Sequence, residues 1–74
     1  MVNINMAKIK ITLNGEGKFI EPKTSIKNLL EVLELDAKKI AIEKNYEIIF
    51  PEDFAKNILN AGDKIEIVHF IGGG

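Results

Sequence analysis

The chain has 74 residues, 46 % of them hydrophobic, and its ten lysines against eleven acidic side chains leave a formal charge of −1. A chain this short forms one domain that buries about 60 % of the surface its unfolded form exposes, and its interspersed charges include no basic block able to track a phosphate backbone, which argues against nucleic acid as a partner. The absence of cysteine excludes a disulfide framework, a thiolate metal site and a cysteine nucleophile; the apolar runs fall far short of the roughly 20 residues that cross a bilayer, so a soluble, cytoplasmic protein with no membrane partner is expected.

Residues 1–6 show no clear period, compatible with a loose N-terminal extension or a continuation of the first strand. From Lys8 the chain alternates, with Ile9, Ile11 and Leu13 on one face and Lys8, Lys10 and Thr12 on the other, which predicts a half-buried strand. Asn14-Gly15-Glu16-Gly17 supplies residues that accept positive φ, so residues 18–21 should return antiparallel as the second arm of a hairpin until Pro22 stops the pairing. Thr24 or Ser25 can cap a helix of about ten residues. Its apolar stripe is Ile26, Leu29, Leu30 and Leu33, opposite the wet residues Lys27, Asn28, Glu31 and Glu34. Too short to be stable alone, it must lie on the apolar side of the sheet.

Residues 40–44 and 47–50 read as a third strand and a short fourth, joined by a turn at Asn45-Tyr46. Pro51 opens a helical turn that sets Phe54, with Ile58 or Leu59, into the core, and residues 60–63 turn the chain into its last strand. There Ile65 and Ile67 fall on one face and Glu66, Val68 and Phe70 on the other. The expected class is α+β, a mixed sheet of four to five strands gripping one helix, with one domain over residues 1–71.

Beyond the domain stand Gly72, Gly73 and Gly74. Without a Cβ these residues can lie in a channel too narrow for side chains, and three extended residues span roughly 10 Å, enough to carry a terminal carboxylate into a partner's pocket. The plainer alternative is a flexible linker stub, but such stubs usually carry serine and rarely continue an apolar strand without a polar boundary. On this reading Gly74 is the reacting end, Gly72 and Gly73 thread the partner, and Val68, Phe70 and Ile71 form an apolar docking patch.

No catalytic constellation competes with the tail. Gly15-Glu16-Gly17-Lys18 lacks the spacing of a phosphate loop and lies between strands. His69 is the only histidine and has no acidic pair nearby to build a metal cluster. Glu52 and Asp53 suit the first turn of the short helix as favourable dipole charge, and the lysines read mostly as a solvated face. No bound cofactor or metal and no enzymatic activity are expected.

The order of elements, Ile42-Glu-Lys-Asn-Tyr-Glu-Ile-Ile49, the Gly62-Asp63 turn, Ile65-Glu-Ile-Val68 and Gly73-Gly74 together resemble the ThiS family over roughly residues 7–74. The resemblance implies the ubiquitin-like β-grasp fold. It also implies a sulfur carrier whose Gly74 carboxylate is adenylated by a ubiquitin-activating-type adenylyltransferase (ThiF type), which uses ATP and Mg. Sulfur from a donor such as a cysteine desulfurase persulfide then makes a Gly74 thiocarboxylate, and a ThiG-type thiazole synthase takes the sulfur for thiamin. Small subunits of molybdopterin synthase and ubiquitin-like modifiers joined through Gly74 are the alternatives; His69-Phe70-Ile71 before the tail, in place of proline, favours ThiS. Two departures are Asn45-Tyr46 where Asn-Gly is frequent, and a first stretch of residues 1–6 with no family counterpart.

Overall fold

The computed structural model describes residues 7–70. Their order is β1 (Ile9–Leu13), β2 (Glu16–Ile20), α1 (Ile26–Leu33), β3 (Ile40–Lys44), β4 (Glu47–Ile49) and β5 (Lys64–His69), with single 3-10 turns at Ala37–Lys39 and Pro51–Asp53. The strands form one five-stranded sheet in the order β2-β1-β5-β3-β4. The last strand therefore lies in the middle, parallel to β1 and antiparallel to β3, and joins the two hairpins into one sheet. This is the β-grasp arrangement, with α1 covering one face.

Both hairpins turn on two residues at positive φ: Asn14 and Gly15 at 49° and 84°, Asn45 and Tyr46 at 53° and 73°. That is the type I′ combination, whose twist matches the twist of the flanking strands. The first turn is shorter than the expected 14–17, because Glu16 and Gly17 already pair with Leu13 and Thr12. The second is equally tight although tyrosine replaces glycine. Its strand ends at Ile49, and Phe50, expected to belong to it, instead leads into the 3-10 turn begun by Pro51.

Ser25, rather than Thr24, caps α1. Its hydroxyl accepts from the Asn28 N–H at 3.0 Å, and the Asn28 side chain accepts in return from the Ser25 N–H at 3.4 Å, a capping box with asparagine in place of the usual acid or amide of longer reach. Two more helix N–H groups are satisfied from outside the helix. Ile26 donates to the Asn57 carbonyl and Lys27 to the Phe54 carbonyl, so the connector before β5 docks on the helix start. At the other end Glu34 adopts φ 59°, and bonds from Leu35 to Leu30 and from Glu34 to Glu31 close a Schellman motif.

Ile26, Leu29 and Leu30 are buried against Ile11, Ile42, Ile65 and Ile67 of the sheet. Each such side chain contributes about 1.5–3 kcal/mol of apolar burial before chain entropy is opposed to it. Phe54 and Leu59 close the core from the connector, whereas Ile58 is 41 % exposed and does not take part.

Candidate functional site

β5 carries the candidate patch because its period of two sends alternate residues to opposite faces of the sheet. Ile65 and Ile67 face the helix and are buried, while Val68 and Phe70 face away and are 59 % and 60 % exposed. The register enlarges this outer patch. Ala41 lies opposite Val68, Ile48 lies on the same face through its pairing with Glu43, and Phe50, still extended at φ −86° and ψ 151°, continues that parity. Ile48 and Phe50 are 62 % and 59 % exposed. Ala41, Ile48, Phe50 and Phe70 also border a groove of 290 Å³ that wraps around the β4 side of the sheet and is lined as well by Ile40, Ile42, Ile49 and Phe54 of the opposite face. Four large apolar side chains, Ile48, Phe50, Val68 and Phe70, thus stand exposed on one face of the sheet.

The expected pair Val68 and Phe70 is thus brought together as read from the sequence. Ile71, Gly72, Gly73 and Gly74 lie outside the described residues. Ile48 and Phe50 were missed, since a strand of three residues has too few positions to reveal its outward face. His69 stands exposed on the strand, among described residues that include no group of three or more metal-ligating side chains. Gly15-Glu16-Gly17-Lys18 belongs to the first hairpin, and Asp53 pairs with Lys56 at 3.4 Å on the surface.

β5 is anchored at its start by a polar knot that the sequence did not disclose. Buried Asp63 accepts from the Asn60 N–H at 2.8 Å and from the Asn45 amide at 3.1 Å, with the Lys44 ammonium 3.8 Å away. Lys44 also donates to the Asn57 side chain at 2.6 Å, so it belongs to this knot and not to the solvated face assigned to the lysines. Asn45 completes the knot by pairing both ways with Lys64: its N–H donates to the Lys64 carbonyl, and its side-chain oxygen accepts from the Lys64 N–H. The Lys64 ammonium lies 4.6 Å from the Tyr46 ring centroid and donates to the phenol oxygen at 2.8 Å. That hydrogen bond holds its pKa above the ordinary lysine value.

Midway along β5, past the last β1–β5 pair, the Asn14 side chain bonds both backbone groups of Ile67. β5 is thus held at its start by the knot, at Ile67 by Asn14, and to its end by pairing with β3. No helix among the described residues is long and apolar enough to cross a membrane.

The ThiS family model matches residues 5–74, starting inside the stretch expected to have no family counterpart. The sulfur carrier protein ThiS of Bacillus subtilis (strain 168) is 40 % identical over 65 residues, covering 86 % of this chain and 98 % of that protein. A thiazole synthase of Paramagnetospirillum magneticum is 41 % identical over 66 residues, 89 % of this chain but 20 % of that protein, so the chain spans a fifth of that relative's length. The crystal structure of ThiS from Geobacter metallireducens superposes with a TM-score of 0.78 at 28 % identity, covering 89 % of this chain and 100 % of that one. Matched along nearly its whole length by family, by sequence and by fold, the chain belongs to the ThiS family.

Proposed function

We propose that the chain is a sulfur carrier for thiamin biosynthesis, with the Gly74 carboxylate as its working group. The observation that carries this reading is the family match running through residue 74, and so through the three glycines that follow β5. A carboxylate is anionic and lacks a leaving group, so it must be activated before sulfur can be installed. A ThiF-type adenylyltransferase, which itself holds ATP and Mg, would join Gly74 to AMP with loss of pyrophosphate. The terminal sulfur of a persulfide, such as that of a cysteine desulfurase, then attacks the acyl-adenylate and displaces AMP to give an acyl disulfide, and a second thiol on the donor side attacks the S–S bond, forming a disulfide there and leaving the thiocarboxylate on Gly74.

The carrier supplies no catalytic group to these steps and acts as a cosubstrate. Its contribution is presentation: Val68 and Phe70, with Ile71, dock on the activating enzyme, and Gly72 and Gly73 fit a channel closed to side chains. Delivery to a ThiG-type thiazole synthase is supported by the relative of that name, part of which is 41 % identical to this chain.

The test is ATP–pyrophosphate exchange with the adenylyltransferase of the same organism, run beside thermal unfolding. Gly73→Val and removal of Gly74 should each change stability by no more than about 0.5 kcal/mol and abolish exchange. Removal of Gly74 draws the carboxylate back by about 3.5 Å, enough to spoil its attack on the α-phosphorus. Wild-type exchange by either variant would refute the reading.

A further inference from the structure

Asn14 sits where β1 gives out. Its N–H still donates to the Ile65 carbonyl at 2.9 Å, but at φ 49° its backbone turns away into the hairpin, and no peptide group of β1 is left to pair with Ile67. The Asn14 side chain takes over that role. Its Oδ1 accepts from the Ile67 N–H at 2.7 Å and its Nδ2 donates to the Ile67 carbonyl at 3.3 Å, across 53 residues of sequence. A carboxamide has the donor and acceptor of a peptide group, so the parallel ladder gains one further pair without any further backbone.

The position of this pair gives it a second meaning. Along β5 the hydrogen bonds alternate: Asp63, Ile65 and Ile67 bond towards β1 and Asn14, while Lys64 and Phe70 bond towards β3 and its flanks. That parity turns the N–H and carbonyl of His69 to the β1 flank, where β1 has already ended. Among the described residues, Asn14 is therefore the last hold on that flank. On the β3 flank the last hold is the Phe70 N–H on the Lys39 carbonyl at 2.9 Å. The turn alone does not require this side chain, because glycine satisfies positive φ equally well.

We propose that Asn14 is a positioning residue of the carrier: by gripping Ile67 it secures β5 on the flank where β1 has ended, so that β3 is not the sole hold on the strand's last residues, and thereby presets the direction in which the tail is offered to the activating enzyme. Loss of that order leaves the chemistry intact but makes the enzyme bear the entropy of finding the productive pose. The inference rests on the reading of Gly74 as the reacting end.

The experiment uses the full-length chain with two substitutions. Asn14→Gly preserves the positive φ and removes both side-chain bonds; Asn14→Asp keeps the acceptor for the Ile67 N–H and loses the donor. Amide hydrogen exchange followed by NMR should quicken about tenfold at Ile67 in Asn14→Gly, and Phe70 should follow, with Ile42 in the core unchanged. In pyrophosphate exchange, KM for the carrier should rise about tenfold while kcat changes much less, and Asn14→Asp should recover part of both effects. Unchanged Phe70 protection, or unchanged KM, in Asn14→Gly would overturn the proposal. If that variant does not fold, wild-type values for both in Asn14→Asp would overturn it as well. Wild-type carrier inactive in the exchange assay would instead refute the Gly74 reading, and the Phe70 amide would then decide the role of Asn14 on its own.

Discussion

Charging the outer face of β5 should separate docking from folding. Val68 and Phe70 are 59 % and 60 % exposed, so Val68→Glu combined with Phe70→Glu sacrifices little buried area. The cost to the fold is some strand preference, plus repulsion from Glu66 on the same face and from Glu43 opposite Glu66 on β3. Together these amount to about 1 kcal/mol. For a domain of this size that lowers the thermal midpoint by roughly 4–8 °C. Binding should suffer far more, because each side chain buried on docking contributes about 1.5–3 kcal/mol and the variant asks the interface to desolvate two carboxylates. KM for the carrier in pyrophosphate exchange should therefore rise by about 100-fold or more. Phe19→Glu is the control, since Phe19 is 62 % exposed on β2, at the far edge of the sheet, and should behave as wild type. An unchanged KM in the double variant, equal damage from Phe19→Glu, or unfolding of the double variant would each refute the assignment of the patch.

Three further expectations concern the frame that holds the site. Asp63→Ala strips the acceptor from the Asn60 N–H and the Asn45 amide and leaves Lys44 without its counter-charge; urea unfolding should show a loss of about 2–4 kcal/mol, and a loss below about 1 kcal/mol would mean that water replaces the carboxylate. Tyr46→Gly relieves a left-handed conformation at φ 73° that costs a side chain about 1–2 kcal/mol, and loss of the surface contact with Lys64 offsets only part of that. Its thermal midpoint should be unchanged or higher, and a clear fall would show that the contact outweighs the strain. Glu34→Gly acts likewise at φ 59°, where glycine suits the Schellman closure; the expected gain is about 0.5–1 kcal/mol in urea unfolding, and a loss would mean that the Glu34 side chain supports the helix end.

What could be read from the residues alone was whatever repeats locally. Ile9, Ile11 and Leu13 alternate, Ile26, Leu29, Leu30 and Leu33 recur at helical spacing, and both patterns survive in the structure because burial of one face decides them. The outward direction of Val68 and Phe70 was legible for the same reason. What escaped depends on partners distant in sequence. Lys44 and Asp63 meet only because β3 and β5 are neighbours, and Asn14, legible as a turn residue, reaches Ile67 only once β1 and β5 run parallel. Ile48 and Phe50 joined the patch through register, which the two residues of one turn control. The length of the first turn was overestimated because Gly17 suggested a loop, whereas in β2 it simply pairs with Thr12.

Gly74 as the sulfur acceptor is put to the test by intact-mass spectrometry of the protein isolated from its native host under thiamin starvation. A fraction of molecules should carry sulfur in place of one oxygen of the Gly74 carboxylate, and that species should gain the mass of the cap on treatment with an alkylating agent. A carboxylate-only spectrum under those conditions, or a ladder of conjugates joined through Gly74 to lysines of other proteins, would contradict this role of Gly74.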